Sequence, residues 1–435
     1  MGQTYNSPAD TLPVPPRAPE TVAEAGVRKS FLEELALKIL YLEGPMFLSQ
    51  LGERIKLPLH VAGELCNRLK KEQLCMVTGT DSVGFPHFEV TVQGRARALE
   101  LLLANQYAGP APVSLGSYVQ QARMQSVRHI EVHQADVERA FKDLVLEDKT
   151  IGQIGTAINS GSSIFIYGPT GAGKTTIAET LPKVFGQDRV WIPYAIEIDG
   201  QVITVFDPLI HRIPPETMEF LDHDTRWVLC QRPMVMVGGE LTIEMLDLEF
   251  NPATKFYVGP AQMKANNGIL IIDDFGRQRL RPEELLNRWV VPLDRKVDFL
   301  TLAGGKKIEI PFELMVVFAT NMDPSELADA AFLRRIQTKI KVNNVNPAEF
   351  HEIFRRVCEQ NSLEYFAPLV DEVIRVLQSK FKEPLRACYP RDIVSQIIWA
   401  ARYEGTKPRL TQDGLLRGMD AYFLPPSDDA VTKKA

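Results

Sequence analysis

Ser162 to Leu181 reads SSIFIYGPTGAGKTTIAETL. Its first residues, Ser162 to Tyr167, form a short apolar strand, and Thr175 onward is a helix with Ile177, Ala178 and Leu181 to pack. Between them stands G-x-x-x-x-G-K-T, Gly168 to Thr175. Glycines let the backbone curl until several N–H groups face one anion. The helix that follows adds the positive end of its dipole. Gly168, Pro169, Thr170, Gly171, Ala172, Gly173, Lys174, Thr175 and Thr176 are therefore the candidate phosphate cradle. In it Lys174 reaches toward β- and γ-phosphates, and the Thr175 hydroxyl is placed to ligate Mg²⁺.

About a hundred residues later, GILIIDDFGR, Gly268 to Arg277, reads as a buried strand that delivers two acids, Asp273 and Asp274, to a turn. Asp273 can hold Mg²⁺ through water and complete the metal site begun by Thr175. MVVFATN, Met315 to Asn321, is a further buried strand whose terminal amide could orient an attacking water. SELADAAFLRRI places Arg334 and Arg335 at the end of a short helix. YPRDIVSQIIWAARY starts a helix at Pro390 with Arg391 in its first turn. The helix dipole disfavours a cation at that end, so Arg391 there suggests an anionic partner.

The rest of the chain sets the frame. It has 435 residues, 45% of them hydrophobic and 24% charged, the balance of a globular protein of several domains. A net charge of -6 argues against general coating of nucleic acid. No apolar run reaches the ~20 residues of a membrane span, and no secretory signal opens the chain, so a cytoplasmic location without membrane insertion is expected. The five cysteines are scattered and never in CxxC spacing, which predicts small buried hydrophobes rather than a zinc site.

Residues 1–27, rich in Pro and Ala, are expected to be a disordered tail. From Arg28 to Ala104, three helices and a hairpin follow in the order of a winged helix. In the first helix Leu32, Leu35, Ile39 and Leu42 share a face; in the third, Val61, Leu65 and Leu69 do. Winged helices often place the third helix in DNA. Ten Lys and Arg stand here against nine Asp and Glu, however, and Glu64 and Glu72 interrupt Arg68, Lys70 and Lys71. That balance favours a protein-docking or structural role over phosphate binding. Residues 105–125, with turn-forming Pro and Gly, are expected to be a linker. An α/β domain over 126–345, a helical lid over 346–425 and a short tail over 426–435 complete the expected organisation.

The order of phosphate loop, acid strand, ATN, FLRR and PRD resembles the AAA+ ATPases over about residues 126–425. The resemblance implies an α/β P-loop core, a parallel sheet flanked by helices, with a C-terminal helical lid; the winged-helix-like α+β domain in front of it departs from the family. It further implies ATP and Mg²⁺ as ligands, Asn321 as the sensor-1 residue and Arg391 as the sensor-2 arginine. Arg334 and Arg335 become the candidate arginine fingers of a homo-oligomer, a hexamer by family logic, with Arg335 favoured because it precedes the apolar Ile336. Two predicted hairpins, one turning at Asp199-Gly200 and one about Gly304-Gly305, look like those of the MoxR-like branch. Its members resemble chaperones that remodel or activate partner proteins; here the client is unknown.

One site residue also departs from the pattern. The family normally carries Glu where Asp274 stands, polarising the lytic water. Aspartate falls short by about 1.5 Å, one C–C bond, and a misplacement of ~1 Å can cost ~100-fold in rate. Because every other part is present, a slow hydrolase is expected rather than a dead binder. The competing readings are a nucleotide-gated DNA-binding regulator and a non-hydrolysing scaffold whose assembly follows ATP occupancy.

Overall fold

The computed structural model describes residues 13–215, 223–327 and 333–424. The fold is α/β. Its principal sheet has five strands in the order Met234–Val237, Ile269–Ile272, Met315–Thr320, Ile164–Tyr167, Thr338–Lys341. The pairs with a resolved register are parallel: Val317 opposite Ile164, Thr338 opposite Ile164, and Met234 opposite Ile269. Ile269–Ile272 and Met315–Thr320 are buried at every position. That is why they read as unbroken apolar runs rather than alternating ones, as strands covered on both faces do.

The chain forms two compact units. The first comprises residues 1–131, 185–272 and 277–316. It opens with helix Lys29–Glu43, strand Met46–Phe47, helices Leu48–Ile55 and Leu59–Lys71, strands Cys75–Thr80 and Pro86–Val90, and helix Val92–Ala104. The three strands pair antiparallel, with Pro86–Val90 in the centre. Thr91 caps the last helix, its hydroxyl accepting from the Gly94 amide at 3.0 Å. Val61, Leu65 and Leu69 are buried as the helical period requires. Leu42 is not: it is 53% exposed, and Ala36, Leu37 and Leu40 are buried in its stead.

Both predicted hairpins form. Ala195–Ile198 pairs with Gln201–Thr204 across Asp199 and Gly200, both at positive φ (52° and 85°), the backbone a two-residue turn of this hand requires. Val297–Thr301 pairs with Lys307–Pro311. Ala195 and Val202 join the core of the N-terminal helices. Part of the expected 126–345 domain is thus built into the same unit as residues 28–104.

Two expected segments are corrected. Of the tail expected over 1–27, residues 1–12 lie outside the described residues, but 13–27 are packed. Val22, Ala25 and Val27 are buried, the Asp224 amide donates to the Pro16 carbonyl at 2.8 Å, and the Trp191 indole donates to that of Pro13 at 3.3 Å. Nor are residues 105–125 a linker. Val113–Ser114 pairs in parallel with the Ala195–Ile198 strand, and helix Leu115–Met124 buries Tyr118, Gln121 and Ala122. Arg226, itself buried, fixes both segments: it is paired with Asp224 and donates to the carbonyls of Ala25 at 2.8 Å and Pro112 at 3.1 Å. The expected tail over 426–435 lies outside the described residues.

The second unit holds residues 132–184, 273–276 and 317–435. Its C-terminal region is helical: Pro347–Gln360, Ala367–Val376, Tyr389–Tyr403 and Gln412–Tyr422. A reciprocal cap starts the first of these, Asn346 accepting from the Glu349 amide and Glu349 from that of Asn346, at 2.9 and 2.8 Å. Phe350, Phe354 and Cys358, four apart, face a core shared with Ile393, Val394 and Ile397.

Candidate functional site

The phosphate loop follows Ile164–Tyr167 and leads into helix Lys174–Thr180. Gly168, Gly171 and Gly173 all take positive φ, at 146°, 79° and 94°. Two of them are also confined by neighbours. A Cβ on Gly168 would stand 2.0 Å from the Val342 carbonyl oxygen, and one on Gly171 would stand 2.7 Å from Cys388 Sγ. The Lys174 ammonium donates to the Pro169 carbonyl at 2.8 Å. Partial burial pushes its pKa down, and the carboxylates of Asp273 and Asp274 pull it back up.

The acid turn is anchored from behind. The Phe275 amide donates to Ala319 at 2.8 Å, the Thr320 hydroxyl donates to the Phe275 carbonyl at 2.6 Å, and the Phe275 ring packs edge-on against Phe165 and Phe318. That buried plug fixes Asp273 toward the loop. The Thr175 hydroxyl lies 3.2 and 3.0 Å from the two oxygens of the Asp273 carboxylate. Asp274 is exposed and sits at φ 49°, with its amide donating to Asp273 Oδ1 at 3.0 Å. Aspartate tolerates this left-handed backbone better than most residues, because its short polar side chain bonds locally.

These groups share a cavity of about 480 Å³. Asp273, Asp274, Asn321 and Arg391 line it together with Thr170 to Thr176. The Asn321 amide donates to the Thr170 hydroxyl at 3.2 Å, which joins the end of that strand to the phosphate loop. Arg391 is 73% exposed and rests weakly on Asp392 at 3.3 Å. Leu144, Val145, Leu146, Ile353 and Val357 add apolar lining, beside the polar Asp143, Arg356 and Gln360.

Arg334 and Arg335 do not line this cavity. Arg334 is exposed, Arg335 half-buried, and the neighbouring Ile336 fully buried. Most of the short helix expected before them, residues 328–332, lies outside the described residues.

Sequence reasoning missed the apolar lining and Arg356. The Arg356 guanidinium donates to Glu352 and to the Lys142 carbonyl, both at 2.7 Å, and so ties the 142–146 segment to helix Pro347–Gln360. In the sequence, Glu352 and Arg356 read as an ordinary surface pair four apart, and nothing local marks them as part of a site.

Do these residues fit a nucleotide and Mg²⁺? The loop takes left-handed backbone at three glycines, two of them also crowded by neighbours, which suits a curled chain whose amides turn inward. Thr175 and Asp273 present hydroxyl and carboxylate oxygens side by side, a hard-cation donor set with few protein ligands. Mg²⁺ takes one or two carboxylates, with phosphates and water for the remainder. The residues fit.

A family profile described as a domain of unknown function, DUF8689, matches residues 346–421, within the C-terminal helices. Similar solved structures include NtrX from Brucella abortus in complex with ADP. It is 17% identical, with 64% of this chain and 56% of that chain covered and a TM-score of 0.39. The Thermotoga maritima RuvB Holliday junction branch migration motor is 12% identical, with coverages of 68% and 73% and a TM-score of 0.36. This chain thus spans little more than half the length of NtrX. At such scores the likeness carries no functional argument, and the geometry of the site must supply it.

Proposed function

We propose that this chain is an AAA+ ATPase, a slow one, that remodels or activates a partner protein as a homo-oligomeric ring. One observation carries the nucleotide reading: the Thr175 hydroxyl and the Asp273 carboxylate meet at the mouth of a glycine loop whose lysine is Lys174. Phosphates fit the loop amides and Lys174, and the apolar lining at Leu144, Val145 and Val357 suits a nucleobase.

Thr175 and Asp273 would hold Mg²⁺, which supplies charge neutralisation on the phosphates when bound. Asp274 would orient the lytic water and accept its proton; Asn321 would hold that water from the neighbouring strand. Arg391 would offset charge developing on the transferred phosphoryl group. Arg334 and Arg335, which do not line their own chain's cavity, are kept for the next subunit's nucleotide, and the ring assembly rests on that role. Loss of labelled ATP from Lys174→Ala, with wild type retaining it, is the direct test of the binding half of this reading.

The order of elements in residues 29–104 supports a winged-helix-like domain, and the two hairpins support the MoxR-like branch. Protein docking is favoured over DNA for that domain. Arg68 is paired with Glu72 at 2.8 Å and Lys29 with Glu64 at 2.6 Å, so part of the positive charge on and beside the third helix is already matched by acids.

A further inference from the structure

Helix Lys29–Glu43 buries Phe31, Leu32 and every residue from Leu35 to Leu40, and Lys38 with them. Lys38 is only 4% exposed. Its ammonium donates to the Asn105 carbonyl at 3.1 Å and forms no ion pair among the described residues. Glu34 is the acid that acts on it electrostatically, yet Glu34 is itself bonded to Arg97 at 3.3 Å. An ammonium has three donors, and enclosing one with a single neutral acceptor is costly. Burial accordingly pushes the Lys38 pKa down to about 8.

Lys38 also lines a cavity of about 240 Å³, separate in sequence and lining from the nucleotide cavity and formed wholly within the first unit. Arg28 supplies a second cation to its wall, 3.6 Å from Glu197 and 62% exposed. Gly200 allows the close approach: a Cβ there would stand 2.6 Å from Arg28 Nη2. Phe31 and Leu101 add apolar lining. Glu34 lies in the wall as well, and its carboxylate would repel a multiply charged anion such as phosphate more strongly than a singly charged one.

We propose that this cavity binds a small, singly charged organic carboxylate, its headgroup between Lys38 and Arg28 and its hydrocarbon against Phe31 and Leu101. Such a ligand gives the enclosed ammonium the charged acceptor it lacks.

Saturation-transfer NMR on the full chain with benzoate and butyrate, and inorganic phosphate as competitor, tests this. Both carboxylates should bind wild type and Lys174→Ala equally, resist displacement by phosphate, and bind about tenfold or more weakly to Lys38→Met and to Arg28→Gln. Arg28→Gln, at an exposed side chain, guards against misfolding of the other variant. Absence of binding to wild type, or wild-type binding by Lys38→Met, overturns the site. Loss in Lys174→Ala or displacement by phosphate assigns the anion to the phosphate loop instead, and loss in Lys38→Met alone overturns the two-cation headgroup.

Discussion

The amide of Cys388 donates to the carbonyl of Gly171 at 3.2 Å, so the loop that opens helix Tyr389–Tyr403 is fastened to the phosphate cradle by its backbone. Gly171 is in the left-handed region at φ 79°, and a Cβ there would meet Cys388 Sγ at 2.7 Å and Arg386 Cδ at 3.2 Å. Gly171→Ala should therefore cost about 1–2 kcal/mol in stability, from backbone strain and the contact together. It should also weaken nucleotide binding, because the fastening and the cradle move as one. Urea denaturation alongside a nucleotide titration reads both; an unaltered affinity would separate the fastening from the cradle.

The Thr175–Asp273 contact predicts an asymmetric outcome. Thr175→Ala removes one oxygen donor and leaves the loop amides and Lys174 in place. Affinity for ATP should then fall far more in the presence of Mg²⁺ than in EDTA. Equal loss in both conditions would mean that Thr175 acts on the loop's shape rather than on the cation.

Arg226 predicts a stability effect far from the site. It is 4% exposed, shares its charge with Asp224, and holds the carbonyls of Ala25 and Pro112. Arg226→Met strands the Asp224 carboxylate and two carbonyls, so it should cost about 3–5 kcal/mol and expose residues 13–27 to proteolysis. A loss within 1 kcal/mol, roughly the scale of one neutral hydrogen bond, would show that those segments hold without it.

Lys38 predicts a pH dependence of definite sign. Its folded pKa of about 8 lies below the ordinary value of 10.5. Below pH 8 both folded and unfolded chains carry the charge, and the folded state bears its full burial cost, on the order of 2–4 kcal/mol. From pH 8 to 10.5 the unfolded chain binds the extra proton, so stability rises with pH and the cost fades. Lys38→Met should thus stabilise the protein at pH 7 by about 1–3 kcal/mol, after subtracting ~1 kcal/mol for the Asn105 carbonyl left unpaired. The advantage should shrink by pH 10.5. A variant less stable than wild type at pH 7 would show that Lys38 is satisfied in a way its one hydrogen bond does not reveal.

What the sequence disclosed follows from range. The phosphate loop, the strand before Asp273 and the strand before Asn321 are local patterns, and their apolar runs record burial on both faces. The Asp199-Gly200 turn is likewise dictated by two adjacent residues. The packing of 13–27 was not legible, because its partners Trp191, Asp224 and Arg226 lie about 200 positions away and the segment carries few large apolar groups of its own. Leu42 and Lys38 show the limit of periodicity. A helix enclosed around most of its girth buries what the amphipathic pattern assigns to solvent, and it releases a leucine near its end. Arg356 was hidden for a related reason, since its partner carbonyl at Lys142 belongs to a distant loop.

Asp274 bears on the central claim. Its left-handed backbone and its exposure place the shorter acid in the wall of the cavity that Lys174, Thr175 and Asp273 also line. The decisive measurement is Mg²⁺-dependent ATP hydrolysis across protein concentration, for wild type and Asp274→Asn. The account predicts slow turnover that climbs with concentration as subunits assemble, and a fall of about 100-fold or more in Asp274→Asn with ATP affinity retained. Wild type that binds ATP and assembles but turns over no faster than Asp274→Asn would contradict it, and would make the chain a nucleotide-gated scaffold.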